Sequence, residues 1–185
     1  MAGSDDASPP RPKLEPVVRD PELWQALGQL TIYYAMLEGQ LKFNIWLMLR
    51  KEDEISTLAE IQEQEAAQIV MAGRPFSTLI DMFCSLSKLR GADPGQLGIV
   101  RKDLERVSVE RNRYVHSEWG SGTKPGAVTR YRHTAKAKNG LKFSGEQVTP
   151  ADVRALADDI GLVTLRVAGV LWKGPGFHQN LWESS

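Results

Sequence analysis

Cysteine is nearly absent from this chain: Cys84 stands alone among 185 residues. No internal disulfide can form, and a lone thiol suits a reducing compartment. Its neighbours in "LIDMFCSLSKL" look like a buried helix face, so Cys84 is expected in the core rather than as a nucleophile. Long hydrophobic runs are also lacking. The most apolar stretch, "FNIWLML" at 43–49, sits between Lys42 and Arg50-Lys51, far short of the roughly 20 residues a membrane span needs. A cytoplasmic protein that does not enter the membrane is expected, because the N-terminus has no basic start followed by an apolar run either. Neither sign of charge is in excess: 23 Lys and Arg balance 23 Asp and Glu. Neutrality excludes a wholesale coat of positive charge, although not a local basic patch.

Familiar catalytic signatures are missing too. His116, His133 and His178 have no ligand spacing to one another, so no metal site is expected. The acids between Glu52 and Glu65 lack the alternation of a calcium loop. There is no Gly-x-Ser-x-Gly elbow and no dinucleotide fingerprint. The glycines of "GSGTKPG" (120–126) do not make a phosphate loop, since Pro125 follows Lys124. No cofactor is expected.

What remains is a helical pattern. Residues 1–19, with Pro9, Pro10, Pro12 and Pro16, read as a disordered tail. A single domain over 20–173 opens at Asp20-Pro21, an N-cap followed by proline at the first helical position. Trp24, Leu27, Thr31, Tyr34, Leu41, Ile45 and Met48 recur at helical spacing through Leu49. From Phe43 this helix is apolar almost all round, as burial in a core or against a second chain requires. The acid-rich stretch 52–65 reads as a polar connection or a solvated short helix. A second stripe (Phe76, Leu79, Ile80, Phe83, Leu86, Leu89) follows Arg74-Pro75 and ends at Gly91. A third (Leu97, Val100, Leu104, Val107) begins at Asp93-Pro94 and runs to the glycines after position 119. Alternation around Val128–His133, with Asn139-Gly140 as a turn signal, gives a β-hairpin over 127–144. Thr149-Pro150-Ala151-Asp152 starts the last helix, with Val153, Leu156, Ile160, Val163, Leu165, Val167, Val170, Leu171 and Trp172 on its apolar face. Residues 174–185 read as a terminal tail. The expected fold class is all-α: an antiparallel bundle of four to five helices, with a small β-hairpin inserted before the last long helix.

One stretch carries candidate chemistry. In "VSVERNRYVHSEWG" (107–120), Arg111, Asn112 and His116 fall near the end of the third helix. On a helix, Asn112 and His116 share a face, whereas Arg111 lies roughly 140° around the axis from His116. A histidine or arginine there can simply complement the helix C-terminus. Yet an always-charged fork donor, an amide and a group that titrates near neutrality are what phosphoryl transfer to a ribose hydroxyl needs. Positive charge is also concentrated here. Arg111, Arg113, Lys124, Arg130, Arg132, Lys136, Lys138 and Lys142 face one acid, Glu118, across residues 111–142. Such a cluster suits a phosphate-tracking surface, or a hairpin kept from edge-to-edge pairing by its lysines. Tyr114, Trp119 and Tyr131 lie within it and could stack on unpaired bases, or pack in the core.

The segment "RNRYVH" resembles the Arg-Asn-x-x-x-His form of the arginine-x4-histidine motif of the HEPN superfamily (higher eukaryotes and prokaryotes nucleotide-binding domain), and the helical plan of 21–173 is similar in outline. The resemblance implies a metal-independent endoribonuclease of toxin–antitoxin or defence type. It implies a homodimer whose two motif copies face one cleft, RNA as substrate, and a cognate antitoxin protein as a candidate partner. Attack by the ribose 2′-hydroxyl on the adjacent phosphate would leave a cyclic phosphate. His116 would be general acid or base, Arg111 would stabilise phosphorane charge, and Asn112 would orient the phosphate or the imidazole. Arg113, Arg130, Arg132, Lys136 and Lys138 would bind the RNA backbone. Two other readings share the same residues: a non-catalytic helical dimerisation module, and a nucleotide sensor with a cationic cleft but no cleavage.

Overall fold

The computed structural model describes residues 20–49, 65–124, 126–136 and 140–171, with the side chains at 132–136, 141–143 and 171 outside the description. Five helices occur among these residues: α1 (Pro21–Leu49), α2 (described over 65–71), α3 (Phe76–Leu89), α4 (Pro94–Val115) and α5 (Pro150–Leu171). Three strands, β1 (Glu118–Ser121), β2 (Val128–Lys136) and β3 (Gly140–Val148), form one antiparallel sheet in that order between α4 and α5. The expected tails and most of the acid-rich connection lie outside the described residues.

The helix starts follow from local chemistry. Asp20 accepts from the backbone N–H of Glu22 at 2.9 Å, and Asp93 from that of Gln96 at 2.8 Å, satisfying donors that a first turn leaves orphaned. Thr149 and Asp152 form a reciprocal box. The Thr149 N–H donates to Asp152 at 2.8 Å, and the Asp152 N–H donates to the Thr149 hydroxyl at 3.2 Å. The end of α1 is capped from another helix: Arg90 donates through Nε and Nη2 to the Met48 carbonyl at 3.0 and 2.7 Å.

The core runs along Leu23, Leu30, Leu37, Leu41 and Ile45 of α1, Leu79 and Phe83 of α3, Leu104 and Val107 of α4, and Val153, Ile160, Val163 and Val167 of α5. Cys84 is buried among them, and burial pushes its thiol up from the ordinary value, as suits an unreactive core side chain. Some stripe members expected to be buried are not. Trp24, Leu89 and Leu165 are all exposed, because at 3.6 residues per turn each points well away from the centre line of its helix's buried face. The segment from Phe43 buries Asn44, Ile45 and Met48 within the chain, and leaves Phe43 and Leu49 exposed. Asn44 is satisfied there by Gln40 at 2.8 Å and by the Val167 carbonyl at 3.4 Å.

Contacts at both ends of the helices set their directions. Glu22 and Arg154 pair at 3.8 Å near the starts of α1 and α5, and Asn44 meets Val167 near their ends, so these two helices run parallel. Tyr34 with Phe76 (4.8 Å) and Met48 with Ser87 (3.5 Å) make α1 and α3 parallel as well. Of these four helices α4 runs the other way, tied to α5 by Arg106–Asp159 and Arg166–Asp103 and to α3 by Arg101–Asp81. The antiparallel expectation therefore holds for α3/α4 and α4/α5, and is corrected for α1/α3 and α1/α5.

The sheet returns the chain from the end of α4 to the start of α5. It is larger than the expected hairpin, since Glu118–Ser121 adds a third strand that pairs Glu118 with Tyr131 and Ser121 with Val128. In β2 and β3, Lys136 pairs with Gly140 and Val128 with Val148. Asn139 of the expected turn lies outside the described residues. Val128 and Val148 anchor the sheet to the core, while Tyr131 lies across glycines of both neighbouring strands.

Candidate site at the end of helix α4

Arg111 follows Val107 by four residues, so it continues the buried stripe of α4 and points inward. Its guanidinium lies 4.6 Å above the centre of the buried Tyr34 ring, a favourable placement of a cation on an aromatic face. Tyr34 packs on Phe76 and hydrogen-bonds Ser108 across 3.4 Å. Burial raises the Tyr34 hydroxyl above its ordinary value; the Ser108 hydrogen bond and the Arg111 charge oppose that shift, and Glu38 adds to it. Arg111 Nη1 donates to Asn112 Oδ1 at 3.0 Å, while its buried Nε has no hydrogen-bond partner among the described residues. The fork is thus fixed on two sides, with donor capacity in reserve.

His116 is the C-cap of α4, at φ −103° and ψ 13°, and its backbone N–H donates to the Asn112 carbonyl at 3.1 Å. The His116 side chain is exposed, as is Asn112, and no hydrogen bond among the described residues joins its ring to Arg111. Arg111 and Asn112 are brought together by a side-chain bond; His116 joins them through the backbone and through its place at the same helix end. Val109 and Val115, both exposed, lie on either side of Asn112 in sequence.

The expected RNA-binding residues separate on inspection. Arg113 is half-buried in the last turn of α4 and paired with Glu110 at 2.5 Å. Arg130 differs from the exposed backbone-tracking cation that the sequence leads one to expect. It is only 7% exposed, its guanidinium lies 4.5 Å above the Tyr114 ring, and it is paired with Glu146. The cause is alternation: Arg130 shares the inward face of β2 with Val128, and the sheet closes over it. Arg132 and Lys136 belong to β2, with side chains outside the description; Lys138 lies outside the described residues altogether. Tyr114 and Trp119 pack on the core with ring centres 6.2 Å apart, and Tyr131 is exposed.

Tyr34, Ser108 and Glu146 complete this region and are absent from the set picked out by sequence. Tyr34 carried a signal as a polar-tipped member of the α1 stripe. Glu146 carried none until strand register is known. Arg113, Arg130, Ser144, Gly145 and Glu146 line a cleft of about 260 Å³ between the end of α4 and the sheet. Among the described residues no cluster of His, Cys, Asp and Glu could hold a metal, and no helix is long and apolar enough to cross a membrane. Comparison with family models, with curated proteins and with solved structures gives no match.

Proposed function

We propose that the chain is a metal-independent endoribonuclease of HEPN type, acting as a homodimer through Arg111, Asn112 and His116. The observation that carries this reading is the preorganised guanidinium. Arg111 is held over Tyr34 and by Asn112, at the helix end where His116 is exposed. Fixed donors aimed at developing charge are the most effective electrostatic aid to phosphoryl transfer. Arg111 would carry the phosphorane charge, Asn112 would hold the fork, and His116 would move the proton between the 2′-hydroxyl or leaving oxygen and solvent.

Dimerisation fits the directions of these groups. Arg111 looks into the bundle and His116 away from it, so a second copy across a cleft would complete each half-site. Exposed Val109 and Val115 beside Asn112 give that cleft an apolar rim. An antitoxin that silences the site would cover the same rim.

The test is cleavage of a mixed-sequence RNA in EDTA. Activity is expected to fall at least about a hundredfold in Arg111→Ala and His116→Ala, the usual scale for removing an electrostatic or acid–base group. A second reading has its own observation: stacking of Arg111 on Tyr34 is also what a structural module would use to close the bundle end. That reading gains if wild-type protein cleaves no RNA while Arg111→Ala lowers the melting temperature sharply.

A further inference from the structure

We infer that the cleft between α4 and the sheet is a binding site for a single phosphate group, with Glu146 as the internal carboxylate that the phosphate displaces. This stands apart from the cleavage reading and needs neither Arg111 nor His116.

Two donors on residues that line this cleft have no acceptor. Arg130 Nη1 and Arg113 Nε are buried and lack a hydrogen-bond partner among the described residues. A buried donor left unpaired is costly, more so on a charged group, so an arrangement that retains two in one place is poised for an acceptor. The Arg130 side chain is 8% exposed, clamped on one face by the Tyr114 ring and tied through Nη2 to Glu146. It cannot leave without dismantling the sheet's packing on α4.

Glu146 can leave. Its side chain is 65% exposed, and solvent-facing ion pairs hold their partners weakly. With Glu146 turned out, Arg130 offers two parallel donors, the geometry that matches two oxygens of a phosphate. Arg113 Nε adds a third, and the Ser144 hydroxyl lines the same cleft. With Glu146 turned in, Arg113 and Arg130 are balanced by Glu110 and Glu146, and the site holds no net positive charge. The carboxylate therefore acts as a competitor that admits only a ligand bearing a stronger negative charge. The cleft has room for such a group, and the concentration of Lys and Arg across residues 111–142 would raise the local level of polyanions.

Titration of the full chain with inorganic phosphate, read by calorimetry, tests the competition. Glu146→Gln is expected to bind phosphate about threefold or more tightly than wild type, the scale set by an exposed ion pair. Arg113→Gln is expected to weaken it, and Lys88→Gln, at an exposed cation outside the cleft lining, to leave it unchanged. Arg130→Lys is the companion to Arg113→Gln; should it fail to fold, the Glu146→Gln comparison still decides. A short RNA with and without a 5′-phosphate separates the sources. Tighter binding of the phosphorylated form alone assigns a terminal phosphate, and equal tightening of both by Glu146→Gln assigns the backbone. The inference is overturned if phosphate binds neither protein, or binds wild type and Glu146→Gln equally.

Discussion

Arg111, Asn112 and His116 do different physical work although they sit within six positions of one another. Arg111 is the continuation of a core stripe and has an aromatic partner, so its removal costs stability as well as charge. Arg111→Ala is expected to lower unfolding free energy by about 0.5–2 kcal/mol through the lost stacking on Tyr34, whereas exposed His116→Ala should stay within about 0.5 kcal/mol of wild type. Chemical denaturation of both variants checks that contrast. Asp152 offers a pH test at the same scale. Backbone and side-chain hydrogen bonds from Thr149 hold its carboxyl below the ordinary value of 3.8. A lowered carboxyl stabilises the fold above that value and loses its contribution as pH falls through its own. The melting-temperature gap between wild type and Asp152→Ala, set by a capping interaction of about 1 kcal/mol, should therefore be full at neutral pH and narrow below 3.8.

At the scale of elements, the sheet is where sequence reading stopped short. The helices were legible because apolar spacing and capping residues agree: Asp20, Asp93 and Thr149 each start a helix as their chemistry requires. The strand Glu118–Ser121 was not, since "EWGS" has no alternation and adjoins a glycine-rich loop. Its pairing with β2 is a tertiary event. Register was hidden as well. A two-residue turn at Asn139-Gly140 would set Thr149 opposite Arg130, whereas Lys136 pairs with Gly140 and Glu146 arrives there instead. That shift turns an expected RNA-tracking arginine into a buried, paired one. The loop into β2 is tight enough to test by substitution. A Cβ on Gly122 would lie 1.9 Å from the Ala127 carbonyl oxygen, while one on Gly120 would meet the edge of the Tyr131 ring at 2.6 Å. Gly122→Ala should cost about 1–3 kcal/mol because backbone must move, and Gly120→Ala less because a ring can turn; their melting temperatures should rank in that order.

For the whole molecule, α1, α3 and α5 point one way and α4 returns, so the motif end of α4 lies where the sheet attaches and where α5 begins. Capping could be read from single residues, and burial for most of each apolar stripe, but helix direction could not, because it depends on the path through segments with no periodic signal. The proposed dimer belongs to this scale. Val109→Asp would set a charge on the apolar rim beside Asn112. It is expected to shift the protein toward monomer in light scattering, and to lower RNA cleavage in parallel while the fold persists. An unchanged oligomeric state would place the interface elsewhere.

The most direct measurement is the product end left on a defined RNA incubated with the protein in EDTA. The account predicts a 2′,3′-cyclic phosphate upstream of each cut, lost in His116→Ala protein that melts with the wild type. Contradiction would come from intact RNA at enzyme excess, or from cleavage that survives both His116→Ala and Arg111→Ala.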